Sequence, residues 1–433
     1  MKHIAAYLLS ILVCMFFFAG TAKANEVVTL QQMVKELSAR VDSLEGKLKV
    51  AEAKNEAVES LSAPITMKDS MNGGDLSGPD DYTLPYNPMK NVKSDDENVR
   101  LSISGLVNRS ALYADNGFQR RILHTDNDNL SSRFQLQGES ILNEYISGGS
   151  RIEIATSANN SSNVDISNSN DADVFNVRRA EVWFVTPVGT LTLGQGDTAS
   201  NFTLENDVSG TQAVGYGVAV SFKAGGLTFR NVADGSLGPS INTVFGDLDG
   251  LDRGNRIRYD TPSLYGFTLA TSHVSGDSGD VALIYSGEFD NGTRIDGSMA
   301  AAKSVGRFDQ YDGSISILFP IGISLTGGHG WQKIKAKYNE DVHRRSPHIS
   351  GGKIGYLFEV FELGQTAVSW DYTSARHIAV ADDHATSHGF GLVQQVDRLA
   401  TELYANFQWW DLTRPGADFK KIKTALIGAS VRL

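Results

Sequence analysis

The segment 424-TALIGASVRL-433 decides the fold. Read as an extended strand it puts Ala425, Ile427, Ala429, Val431 and Leu433 on one face, because strand side chains alternate between two sides. About sixteen such stretches, each roughly ten residues long with a period of two, follow one another from Val99 onward, which is the pattern of a transmembrane β-barrel. The expected architecture is all-β: a 16-stranded antiparallel transmembrane barrel, preceded by an α-helical coiled-coil segment. Eighteen strands result instead if a hairpin at Val218 to Phe222 and Leu227 to Asn231 joins the wall.

Composition leaves few other ways to cross a membrane. With a mean hydropathy of −0.20, no segment after the N-terminal leader approaches the ~18 apolar residues that a spanning helix needs. In lipid every backbone polar group must be satisfied within the protein, so a closed barrel is what remains. Gly is plentiful at 43 and Pro scarce at 10, as expected where tight turns join strands whose ladders Pro would interrupt.

Residues 1–24 read as a secretory signal. Lys2 and His3 precede the apolar run Ile4 to Ala19, and Ala22-Lys23-Ala24 offers a cleavage site before Asn25. Val13 is too bulky for lipoprotein processing at Cys14, the single cysteine, so the exported chain has no thiol and forms no disulfide. The formal charge of −11 becomes more negative once the lysine-bearing leader is gone, which excludes nucleic acid as a partner.

Residues 25–59 carry a heptad register through Val27, Leu30, Val34, Leu37, Val41, Leu44, Leu48, Ala51, Asn55 and Val58, with charges elsewhere. The seam predicts a self-associating periplasmic coiled coil about 48 Å long. Residues 60–97, rich in Pro, Gly, Asp and Ser, read as a flexible linker. The barrel domain is expected at 98–433. Short breaks such as Pro187-Val188-Gly189, Asp290-Asn291-Gly292 and Pro320-Ile321-Gly322 alternate with longer polar loops, among them Asp115 to Leu130, Asn159 to Asp173 and Lys335 to Ser346. Short turns face the periplasm in outer-membrane barrels.

Because the lipid face must be apolar, the charged set of each strand marks the lumen. Arg133, Arg151, Arg179, Arg256, Arg258 and Arg294 are thereby expected to line the pore, with Glu139, Glu153, Glu181, Asp260 and Asp296 beside them. The segment after Gly196 carries Glu205 and Asp207, then Asp234, Asp247, Asp249 and Asp252. Folded inward, it would set carboxylates against the arginines and impose a transverse field on passing solutes.

Two runs carry a family resemblance: RRAEVWFVTPVGTLTLGQGDTASN from Arg178 to Asn201 and NRIRYDTPSLYGFTLATSHVSGD from Asn255 to Asp277. From about Val99 to Leu433 the chain resembles the Gram-negative porin family. The resemblance implies a homotrimer of 16-stranded barrels in the outer membrane, a third loop folded into the pore, and a basic wall at Arg178 or Arg179, Arg256 and Arg258. It assigns the constriction loop to the segment beginning at Asp197. The chain departs from the family pattern in ending on Leu433 where a Phe is usual, and in its longer stretch between Gly217 and Arg253.

The expected function is a water-filled channel for passive diffusion of small hydrophilic solutes and ions, with neither cofactor nor metal. A channel selective for anionic solutes such as carboxylates is one alternative, and an envelope tether is another. A coiled coil ahead of the barrel also resembles some trimeric channels that prefer anionic substrates. His384 and His388, in a loop-to-strand region, do not converge as metal ligands there. His343 and His348 read as solvated surface beside Arg344-Arg345. The Asp/Asn loops at Asp126 to Asn129 and Asn168 to Asp173 lack the EF-hand pattern and read as solvated. No Ser, His and carboxylate set marks an enzyme.

Overall fold

The computed structural model describes residues 90–93, 99–172, 174–335 and 346–433. The signal, the coiled coil and most of the linker lie outside them. Sixteen antiparallel strands form the wall. They are β1 (Val99–Asp115), β2 (Arg120–Asp126 and Arg133–Ile141, interrupted by a 3-10 turn), β3 (Ser147–Ser157), β4 (Val174–Thr186), β5 (Gly189–Asp197), β6 (Arg253–Asp260), β7 (Phe267–Val274) and β8 (Ser278–Glu288). The second half comprises β9 (Arg294–Ser304), β10 (Phe308–Leu318), β11 (Ile323–Ile334), β12 (His348–Phe361), β13 (Gly364–Arg376), β14 (His384–Val396), β15 (Thr401–Arg414) and β16 (Ile422–Arg432). Each pairs with the next, and β1 pairs with β16 from Leu106↔Arg432 to Asp115↔Lys423, which closes the cylinder, while Lys90–Lys93 lies antiparallel beside Arg100–Ile103 of β1. Leu433 extends that seam by exchanging backbone hydrogen bonds with Gly105.

Alternation in β16 follows the pattern read from the sequence. Ile427 and Val431 are exposed on the outside, whereas Ile422, Thr424, Leu426 and Ser430 are buried inside. Turns at one end are short, as at 187–188, 319–322 and 362–363, and the long connections 158–173 and 198–252 are at the other. Gly322 shows why such turns need glycine: its φ is +85°, and a Cβ there would lie 2.1 Å from the Leu357 carbonyl oxygen.

Two local expectations change. Asp115 to Leu130 is no long loop, because Asn116 folds the chain back at once. Its Oδ1 accepts the N–H groups of Phe118 and Gln119 while Gly117 takes a φ of +81°, so strand pairing resumes at Arg120. The hairpin in the inserted segment stays out of the wall, which resolves sixteen against eighteen, and it lies further along the chain. Thr228–Arg230 pairs with Leu237–Ser240, whereas Ser221–Lys223 is a 3-10 turn that carries Lys223 into a buried ion pair.

The segment 198–252 fills much of the lumen and brings an apolar core with it. Val218, Leu227, Phe229, Ile241 and Phe245 are fully buried against inward side chains of the wall, including Leu112, Ile349, Trp410, Ile422 and Leu426. Phe245, at the end of the short helix α1 (Ile241–Phe245), meets Trp410 edge to face at 5.4 Å. Each such side chain contributes about 1.5–3 kcal/mol by leaving water, enough to hold the insertion as a packed body. Where they meet the insertion, β15 and β16 therefore carry apolar side chains, Trp410, Leu412, Ile422 and Leu426, on the inner face as well.

Candidate functional site

The charged ladder runs across β3 to β6. A bulge in the β3–β4 pairing, where Glu153 faces Arg179 and the next pair is Ile154 with Val177, brings Arg178 and Arg179 to the same carboxylate. Arg178 Nε donates to Glu153 Oε1 at 2.5 Å and Arg179 Nη1 to Glu153 Oε2 at 3.2 Å. Arg179 also reaches Asp197 Oδ2 at 2.5 Å, and Arg253 Nε lies 2.7 Å from Asp197 Oδ1. Glu181 accepts from Arg151 at 2.5 Å and from Arg256 at 2.6 Å. Arg258 pairs with Asp260 at 2.8 Å.

This ladder also fixes where the insertion departs. Arg256 Nε donates to the Asp197 carbonyl at 2.8 Å and Arg258 Nη1 to that of Thr198 at 2.9 Å. Side chains of Arg179 and Arg256 are only 4% and 3% exposed, so these two are held within the wall by carboxylates. Arg151 and Arg258 retain a larger contact with solvent. Arg133 is half-buried on β2, and Arg294, on β9, is exposed beside Asp296 at 2.7 Å.

On the far side the insertion is fastened by lysines that the sequence reading passed over. Lys353 of β12, itself buried, donates to Asp207 Oδ2 at 2.6 Å, to Thr211 Oγ1 at 3.3 Å and to the Gly215 carbonyl. Asp207 thus engages the opposite wall instead of the arginines. Lys223 reaches Asp371 at 3.0 Å and Gln408 at 2.9 Å, and burial pushes its ammonium pKa down while Asp371 opposes that shift. Strand parity is the signal for Lys353: it shares its face with Ile349, Gly351 and Gly355, and the two glycines leave room for an incoming loop.

Glu205, Asp247 and Asp249 bring one carboxylate oxygen each within 4.8 Å of one another. Asp249 accepts the N–H groups of Phe202 and Leu204, which shapes the start of the insertion. Asp247 is solvent-accessible, yet the protein crowded around it, and then the like charges of Asp252 and Asp312, push its carboxyl up to about 7. A carboxyl raised above its unfolded value contributes stability that is full below about pH 4 and is lost as pH rises through about 7. The insertion is therefore expected to resist proteolysis better at pH 6 than at pH 8, and Asp247→Asn, which also relieves its like-charged neighbour Asp249, is expected to reduce that difference. Digestion of refolded protein at the two pH values checks this.

One minor reading changes. Asp126 to Asn129 is not solvated: Asp126, Asn127 and Asn129 are buried, and Asn127 Nδ2 donates to the Ala213 carbonyl at 2.7 Å, clipping the insertion to β2. His348 and His384 stand at the first positions of β12 and β14, where loop meets strand, with His388 further along β14, and His343 lies outside the described residues.

Over residues 95–430 the sequence matches the model of a family described as Gram-negative porin. No curated protein matches it. Among solved structures, the anion-selective porin from Comamonas acidovorans aligns at 16% identity with a TM-score of 0.54, covering 77% of this chain and 100% of that one. The loop L8 deletion mutant of OmpT, an outer membrane protein of Vibrio cholerae, aligns at 13% identity with a TM-score of 0.51, covering 78% and 100%. At such identities the likeness concerns the fold. With the family match spanning most of the chain and the wall closed around a charged interior, the chain belongs to the Gram-negative porin family and forms an outer-membrane channel for passive diffusion.

Proposed function

We propose that the channel passes small hydrophilic solutes and ions as a homotrimer, without cofactor or catalysis, and that its field is transverse rather than of one sign. The carrying observation is that arginines of β4 and β6 are compensated by Glu153, Glu181, Asp197 and Asp260, while Glu205, Asp247 and Asp249 gather on the insertion. Dipolar solutes align in such a field and apolar ones are penalised. Removing Arg256 and Arg258 leaves Glu181 and Asp260 behind, so the double alanine variant is expected to shift the cation-to-anion permeability ratio upward by about threefold or more. Reversal potentials in a salt gradient measure it. Arg258→Ala alone tests the more accessible arginine without disturbing Glu181, and an unchanged ratio in both variants removes the basic wall. Hydrolysis without stepwise conductance would instead favour an enzyme.

Support for self-association lies on the outer face of β1. Arg109 lies between Val107 and Ala111 on the outward face and opposite Ala429 of β16, its guanidinium 3.7 Å from Asp126 and 2.6 Å from the Ala158 carbonyl. A cation on the lipid face of a barrel wall costs about 2–4 kcal/mol near the bilayer midplane, so this stretch is better covered by protein. Small Ala425 and Ala429 beside it allow close approach. The mass of the detergent-solubilised protein is expected to be that of three copies, and Arg109→Glu is expected to lower it; a monomeric wild type would sink this reading.

A further inference from the structure

The geometry points to a binding platform for the pyranose ring of a neutral sugar, built around Trp183 on the lumen wall toward the short-turn end. Trp183 of β4 has the inward parity of Arg179 and Glu181, while its neighbours Val182 and Phe184 are exposed on the lipid side. It stands in register with Gly149 of β3, and a Cβ on that glycine would lie 2.3 Å from indole Cζ2. The half-buried ring thus rests against the wall in the space the glycine leaves, with part of its surface open to the lumen. Its Nε1–H makes no hydrogen bond among the described residues, although an indole N–H enclosed by protein normally finds a partner.

The groups around the ring are planar, polar and matched in charge. The Arg151 guanidinium carbon is 5.9 Å from the ring centroid, and that guanidinium is held by Glu181 at 2.5 Å. On β2 a line of side chains runs down the wall: Gln135 donates to Gln137 at 3.0 Å, and Gln137 to Glu139 at 2.8 Å. Strand register sets Glu139 between Arg100 of β1 and Gly149, so the row at the level of the indole reads Arg100, Glu139, Gly149, Trp183. A pyranose offers an apolar C–H face and a rim of hydroxyls, each both donor and acceptor. The indole suits the face, and the forked ends of Glu139, Gln137 and Arg151 suit neighbouring hydroxyls taken in pairs. Because Arg151 is compensated by Glu181 and Arg100 stands opposite Glu139, an anion or a cation meets both signs here, whereas hydroxyls make use of both. The platform rests on the channel reading above and narrows its solutes to saccharides.

The test is single-channel recording of the full-length protein in planar bilayers during titration with maltose. The sugar is expected to block ion current saturably, whereas sorbitol, which has the hydroxyls without the ring, is expected to give only the linear decrease that viscosity causes. Trp183→Ala is expected to raise the half-blocking concentration about tenfold, and Trp183→Phe, which keeps a smaller aromatic face, by less. Gln137→Ala leaves the indole in place and is expected to raise it several-fold, which keeps the test valid if Trp183→Ala fails to assemble. Val182→Ala, on the lipid side of the same strand, is expected to be blocked as wild type is. Wild-type block in Trp183→Ala or in Gln137→Ala, saturable block by sorbitol at the same concentrations, or block by glucuronate at lower concentrations than maltose would each overturn the platform and leave the channel reading standing. Absence of stepwise current would overturn both.

Discussion

Lys353→Ala is expected to loosen the inserted segment and turn a quiet channel into a larger, noisier one. Its ammonium is 2% exposed and sits against an Asp207 side chain that is wholly enclosed, so the alanine leaves a carboxylate in the protein interior without its cation. Breaking a buried pair from one side costs about 3–5 kcal/mol, far more than a surface pair contributes. Asp207 also organises its own loop by accepting the N–H of Ser209 at 2.8 Å and of Gly217 at 3.2 Å, so the strain passes along residues 207–217. Planar-bilayer recordings should show a higher mean conductance with rapid fluctuations, and the segment should become cleavable in intact barrels. Adding Asp207→Asn should restore much of the quiet behaviour by removing the stranded charge. Unaltered conductance and protease resistance in Lys353→Ala would mean that apolar packing alone holds the insertion.

Phe245→Ala should have an effect of similar size by a different route. The ring is fully buried and packs on Trp410, and truncating a core phenylalanine costs about 3–5 kcal/mol through lost transfer energy and the cavity left behind. Because Phe245 belongs to the insertion and the wall's hydrogen-bonded ladders do not pass through it, the barrel's heat-induced unfolding should scarcely move. Onset of current noise on warming should come at a lower temperature. If barrel unfolding itself shifts by as much as the noise, the insertion is part of the folding core and not a separable plug.

Much of the barrel was legible because its rules are local. A period of two, a requirement that one face meet hydrocarbon, and turns marked by Gly, Pro, Asn and Asp identify β6, β9 and β16 from their own residues. The same parity placed Arg256, Arg258 and Arg294 on the inner side. What could not be read this way was their pairing. Glu153 meets two successive arginines only because a bulge breaks the β3–β4 register, and no periodicity announces one extra residue. Asp207 was placed against the arginines because it follows Gly196 closely in sequence; its partner, Lys353, lies far along the chain and is found only after the cylinder closes.

The sequence by itself determined that these residues form a closed membrane cylinder, since alternate side chains must satisfy lipid and water and every strand must find two neighbours. Tertiary structure alone decided what fills that cylinder. Trp410, Leu412, Ile422 and Leu426 have the look of lipid-facing residues on the wrong parity, and become comprehensible only once residues 198–252 fold inward to cover them. An apolar side chain records that it must leave water; whether it leaves into lipid or into a packed interior is set by chain segments distant in sequence.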